Sequence, residues 1–155
     1  MTTYVAVCGS SVGTDEELAN AEEVGRLLAE AGAIVICGGL GGVMDAAARG
    51  AKAGGGISVG LLPGDDRVGA SEHLTLALPT GMGETRNALI VRAADAVIAI
   101  GGEWGTLSEI ALAMRTGKPV VGLGTWELSQ SGRSADGMLT AESPEDAVRL
   151  ALKAD

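Results

Sequence analysis

The chain has 155 residues, enough for one domain with a sizeable core, and 46% are hydrophobic, which excludes a disordered chain. Aromatic residues make up 2% and Phe is absent, so Val, Ile, Leu and Ala must build the core, while 25 glycines point to tight turns and close packing. A net charge of −9 argues against nucleic acid or an anionic membrane as partner, and leaves open a small phosphorylated ligand held by a local site.

No signal-like segment or membrane-length apolar run is visible, so the expected location is the cytoplasm. Cys8 and Cys37 end apolar runs and read as buried, reduced thiols. With His73 the lone histidine and no Cys-His cluster, no metal site and no His-dependent triad are expected.

Residues 4–7 (YVAV) form a short strand that ends in Cys8-Gly9-Ser10-Ser11. Thr14 to Glu17 makes a capping box that opens a helix to about Ala31, where Gly32 stops it. Residues 34–37 are a second strand, followed by Gly38-Gly39-Leu40-Gly41-Gly42 and an Ala-rich helix over residues 43–53. A third strand is read over residues 57–62, a surface loop over 65–72, a fourth strand over 74–78 and a third helix over 84–94. Residues 96–100 (AVIAI) are a buried strand running into Gly101-Gly102-Glu103-Trp104-Gly105, with a helix expected from Thr106 to about Thr116. A sixth strand covers residues 120–123, a polar loop 130–137, and Ser143-Pro144-Glu145 starts a last helix that runs to the C-terminus.

Short apolar strands alternating with helices specify one doubly wound α/β domain over residues 1–155, with a mainly parallel sheet covered on both faces. Ligands of such sheets bind beyond the carboxyl ends of the strands. Here those ends carry Gly9-Ser10, Gly38-Gly39, Pro63-Gly64, Thr80-Gly81 and Gly101-Gly102. The strand, glycine turn and helix around residues 96–114 form the strongest anion-binding pattern, and Glu109 is the carboxylate placed to face a ligand. The first strand lacks G-x-G-x-x-G, the second ends without an acid, and no G-x-x-x-x-G-K-[ST] occurs, so NAD-linked redox and P-loop hydrolysis fall away.

Four stretches carry a resemblance over nearly the whole chain: Val7-Cys8-Gly9-Ser10-Ser11; Gly38-Gly39 through Gly42-Val43-Met44; Gly83-Glu84-Thr85-Arg86-Asn87; and Gly101 through Glu109. Together they resemble the Lonely Guy-type (lysine decarboxylase-like) proteins, whose marks are PGGxGTxxE and an upstream Arg, and most nearly the small branch that includes molybdenum-cofactor carrier proteins. The resemblance implies a Rossmann-like three-layer sandwich, a nucleotide-like ligand, and a homodimer or homotetramer. In enzymatic members it implies hydrolysis of the base–ribose bond of a nucleoside 5′-monophosphate.

Arg86 and Glu109, 23 positions apart, match the family's catalytic pair. Glu109 would stabilise a cation-like ribose and position water, while the Arg86 fork would hold phosphate or orient the ribose. The amides of Gly105, Thr106 and Leu107 would seat the 5′-phosphate, with Gly9, Ser10, Gly38, Gly39, Met82, Asn87, Gly101 and Gly102 completing the ligand shell. No cofactor is required; a nucleotide or the molybdenum cofactor is the ligand. The name lysine decarboxylase is rejected, because Lys52, Lys118 and Lys153 all lie away from strand exits.

Other readings stand beside these. Thr106 to Glu109 spells a capping box, in which Glu109 satisfies the helix's own amide. Met44 and Met82 read as packing, Trp104 and Trp126 as pocket walls or lids, and His73 as a loop residue without a role. Four positions depart from the enzymatic pattern: Gly101 replaces proline, Glu103 replaces the second glycine, and Thr85 and Asn87 stand where the enzymes carry Glu and Lys. A non-catalytic carrier or sensor, such as a molybdenum-cofactor carrier, is therefore the alternative to a phosphoribohydrolase.

Overall fold

The computed structural model describes residues 1–153; the end of the expected last helix lies outside them. Its main sheet has seven parallel strands in the order β4-β3-β2-β1-β5-β6-β9. These are β1 (Tyr4–Gly9), β2 (Ile34–Cys37), β3 (Ser58–Leu62), β4 (Leu76–Pro79), β5 (Ala96–Ile100), β6 (Val120–Leu123) and β9 (Met138–Ala141). The short pair β7 (Ser129–Gln130) and β8 (Arg133–Ser134) is an antiparallel hairpin beside it. The helices are α1 (Asp15–Glu30), α2 (Val43–Ala53), α3 (Asn87–Ala93), α4 (Trp104–Arg115) and α5 (Pro144–Leu152), and a 3₁₀ turn (Gly83–Arg86) precedes α3. No helix among the described residues is long and apolar enough to cross a membrane.

The fold follows from the doubly apolar strands. Every residue of β5 is buried, because both faces of a central parallel strand are covered. Val5, Val7, Val35, Ile98 and Ile100 pack under α1, α2 and α5, while Ala6, Cys8, Ile36, Val97 and Ala99 pack under α3 and α4. This is a three-layer α/β sandwich of Rossmann type. With no aromatic residue in the buried core among the described residues, density comes from close approach: a Cβ on Gly25 would run into the Ala47 carbonyl, and one on Gly50 into that of Glu22.

β1 is flanked by β2 and β5, so consecutive strands run outward in one direction from β1 and resume on its other side with β5. That reversal opens a crevice at the carboxyl ends of β1 and β5. The capping box at Thr14 is present: Glu17 N donates to Thr14 Oγ1 (3.2 Å) and Thr14 N to a Glu17 carboxylate oxygen (2.9 Å).

Besides the fourth strand, which starts two residues later than expected at Leu76, and the start of α4, three elements differ from the sequence reading. β9 was not anticipated: Thr140 interrupts its short apolar run, and only Ala141 is buried. The loop over residues 130–137 contains a hairpin, with Ser131 (φ +53°) and Gly132 (φ +77°) as its two-residue turn. The helix expected over residues 84–94 is a 3₁₀ turn followed by a shorter α-helix.

Candidate functional site

A cavity of about 270 Å³ opens at the crevice. β1 and its exit contribute Cys8, Gly9, Ser10 and Ser11; β2 contributes Gly38; and the loop and first turn around α2 contribute Leu40 and Met44. The 3₁₀ turn and α3 bring Glu84, Arg86 and Asn87, and α4 brings Glu103, Gly105, Thr106 and Glu109. Of the sequence-derived site residues, Gly9, Ser10, Gly38, Arg86, Asn87, Gly105, Thr106 and Glu109 line this space.

Others do not. Met82 is half exposed and lies outside the lining. Gly39 turns away; its carbonyl accepts from Ser71 N (2.9 Å) and its Cα side abuts Gly60 and Leu62. Gly101 and Gly102 line a neighbouring hollow of about 400 Å³ with Glu17, Thr125, Trp126 and Glu127. Leu107 is corrected outright. The helix begins two residues earlier than expected, with Glu103 at the N-cap, so Leu107 N already donates to Glu103 O (3.0 Å). In the first turn of α4, the amides of Trp104, Gly105 and Thr106 have no acceptor among the described residues.

The same shift removes the capping-box reading of Glu109. Thr106 sits inside the first turn, and α4 has no side-chain cap. Glu109 is instead 7% exposed and lines the cavity, with the Cys8 thiol as a neighbour. Burial pushes its carboxyl up to about 7, against the smaller opposing effects of Cys8 and the Arg86 charge. Cys8, buried beside Glu109, has its thiol held well above the ordinary range, first by burial and then by the carboxylate. Cys37 is pushed up to about 11, chiefly by burial. The two cysteines lie on adjacent strands but on opposite faces: Cys8 shares a face with Ile36, and Cys37 alternates with it.

Arg86 is buried and largely committed. Its Nε donates to Leu61 O (2.8 Å), one Nη to Gly38 O (3.3 Å), and the other Nη to Asn87 Oδ1. The guanidinium thus closes the carboxyl ends of β2 and β3, leaving part of its fork for a ligand. A Cβ on Gly38 would lie 2.6 Å from Met44 Sδ and 2.8 Å from an Arg86 nitrogen, which explains glycine there. Arg86 and Glu109 interact through space without a direct ion pair.

The glycine turn explains one departure from the Lonely Guy pattern. Gly101 has φ +53°, which proline cannot adopt, and the Glu17 carboxylate fills the space a side chain would need. Glu103 is exposed, and its carboxylate accepts from Ser10 Oγ (3.4 Å), which in turn accepts from Val12 N (3.1 Å) and Gly13 N (3.3 Å). Trp126 Nε1 donates to Glu103 O (3.3 Å), and the Trp126 ring lies 5.1 Å from that of Trp104.

Sequence reasoning missed Cys8, Leu40 and Glu84 as lining residues, and treated Met44 as packing alone. The place of Cys8 at the last apolar position of β1 was the available signal. His73 is not idle either: its Nδ1 lies 3.0 Å from Asp45 Oδ1, which also accepts from Ser71 Oγ (2.5 Å). Arg49 reaches the other Asp45 oxygen (3.3 Å) and Glu22 (2.9 Å), so this network pins the loop after β3 to α2 and α1. Among the described residues, no group of three or more His, Cys, Asp or Glu side chains could hold a metal.

Chemically, the cleft offers free helix-start amides at its mouth, one committed cation, and a carboxyl group near its neutralisation point on the floor. Known proteins share the whole framework. An uncharacterized protein of Archaeoglobus fulgidus is 39% identical over 148 residues, covering 96% of this chain and 93% of its own. The molybdenum cofactor binding protein of Rippkaea orientalis superposes with a TM-score of 0.91 at 34% identity, over 99% of this chain and 97% of that one. The molybdenum cofactor carrier protein of Chlamydomonas reinhardtii does so with a TM-score of 0.86 at 30% identity, over 99% and 97%. The SLOG cluster4 profile matches residues 2–148, and the chain belongs to the SLOG cluster4 family.

Proposed function

We propose that this protein binds the molybdenum cofactor, a phosphorylated pterin, as cargo and does not cleave nucleotides. The observation that carries the reading is the near full-length similarity to the Rippkaea orientalis molybdenum cofactor binding protein, at 34% identity. The cleft's chemistry supports it. A phosphate monoester suits the free amides of Trp104, Gly105 and Thr106, with Ser10 and the remaining Arg86 donors nearby. The metal end of the cargo has no thiolate to meet, because Cys8 is buried and kept protonated. Retention is therefore through phosphate and ring.

The rival is the nucleoside 5′-monophosphate phosphoribohydrolase, favoured by the register of Arg86 and Glu109. Glu109 does not separate the two readings, since a buried carboxyl raised to about 7 also suits a general base. Against the hydrolase stand Thr85 and Asn87, which remove two charged groups of the enzymatic pattern. A panel of nucleoside monophosphates, assayed by chromatography for released base, separates the two. The carrier reading expects no release, with calorimetry registering a pterin phosphate; release abolished by Glu109→Gln would overturn it. Assembly as a homodimer or homotetramer in the cytoplasm goes with this proposal, and light scattering after gel filtration tests the oligomer.

A further inference from the structure

The cavity at the crevice, about 270 Å³, falls just below the roughly 300–1,000 Å³ of pockets that enclose a whole drug-sized ligand. A ligand with its phosphate on the α4 amides must therefore extend outward. Two hollows adjoin the mouth. One, of about 400 Å³, is lined by glycines, Thr125, Trp126 and the carboxylates of Glu17 and Glu127, which suit an anionic ligand poorly. The other, of about 640 Å³, lies between α3 and α4 and shares Glu84, Arg86, Asn87 and Gly105 with the cavity, so the two adjoin across these residues. Trp104, Ser108 and Leu112 give it one wall, at the spacing of a single helix face.

Trp104 is 76% exposed, unusual for the largest apolar side chain. It is also not loose. Its ring packs at a 36° tilt against Trp126, which is itself anchored to the Glu103 carbonyl. Trp126 thus backs Trp104 while leaving most of its surface open to the hollow. Trp104 also supplies the first free amide of α4, so an aromatic surface and an anion seat meet at one residue. Asn87 and Ser108, linked by a 3.4 Å hydrogen bond, offer polar atoms along the rim.

We infer that Trp104 is a specificity-determining residue: it stacks on the planar nitrogen heterocycle of a ligand whose phosphate occupies the start of α4. The inference rests on the proposed binding of a phosphorylated cofactor and names the residue that reads its ring. Base–aromatic stacking of this kind is lost on substitution by alanine with about a tenfold or larger drop in affinity.

The test is calorimetric titration of the full chain with neopterin phosphate and with glycerol 3-phosphate, which carries the phosphate alone. The wild type is expected to prefer the pterin by on the order of tenfold. Trp104→Ala should abolish the preference, and Trp104→Phe should restore it. An equal preference in the wild type and Trp104→Ala overturns the stacking role alone. A wild type that binds neither neopterin phosphate nor the molybdenum cofactor overturns this inference and the carrier reading together.

Discussion

The floor and the mouth of the cleft are built in opposite ways. On the floor, Cys8, Arg86 and Glu109 are buried, and Arg86 spends three donors on Leu61, Gly38 and Asn87. At the mouth, Glu103, Trp104 and Gly105 are exposed, and α4 begins with amides that find no acceptor among the described residues. The floor residues hold one another and the strand ends; the mouth residues have donors and surface to spare. A catalytic reading based on Arg86 and Glu109 looks to the floor. A carrier reading looks to the mouth, and the two regions respond differently to substitution.

The largest effect is expected from Arg86→Met. It leaves the carbonyls of Gly38 and Leu61 without their donor and Glu109 without the nearby positive charge. Stability should fall by about 3 kcal/mol at pH 8, measured by urea unfolding, and by less at pH 5, where Glu109 is neutral. A loss under about 0.5 kcal/mol, typical of a surface change, would show that the floor is not structural.

Glu109 supplies the next test. Its folded value, about 7, lies above the ordinary 4.5. Below pH 4.5 the group is protonated folded and unfolded alike; between there and pH 7 only the unfolded chain gives up its proton. The contribution of Glu109 to stability is thus fully present in acid and lost as pH rises through about 7. Glu109→Gln should reduce the decline between pH 5 and pH 8 by about 2 kcal/mol. An unaltered profile would mean the carboxylate is not desolvated.

Gly38→Ala bridges the two regions. The added methyl meets Met44 Sδ and the Arg86 fork. Because Met44 is flexible while Arg86 is tethered, the expected loss is about 1–2 kcal/mol of stability, with weakened pterin phosphate binding. The smallest effect belongs to the mouth. Glu103→Gln removes a carboxylate beside the free amides, and should tighten phosphate binding about threefold while leaving the unfolding midpoint in place. Weaker binding would show that Glu103 receives the ligand and does not repel it.

The sequence was legible wherever an element was buried on both sides. β2, β5 and β6 match their predicted bounds, and Thr14 and Ser143 cap α1 and α5 as their residue types require. It was illegible where burial is one-sided or tertiary packing decides. β9 pairs only with β6 at a sheet edge and carries an exposed Leu139, so it lacks the apolar signature. At the site, the residues of the cleft were found by their glycines and by spacing. Their roles depended on where α4 starts, and local pattern favoured Thr106 as the cap. Glu103 took that place because its carbonyl receives Leu107 N while Trp126 and Ser10 hold it from outside the helix. Those partners lie 23 and 93 residues away, beyond any local pattern.

The most direct measurement is anaerobic incubation of the pure protein with freshly released molybdenum cofactor, followed by gel filtration and analysis of the protein peak for pterin and molybdenum. A carrier retains both in stoichiometric amount, and Gly38→Ala should reduce them together. A protein peak free of pterin, in a preparation that releases base from a nucleoside monophosphate, would contradict the account.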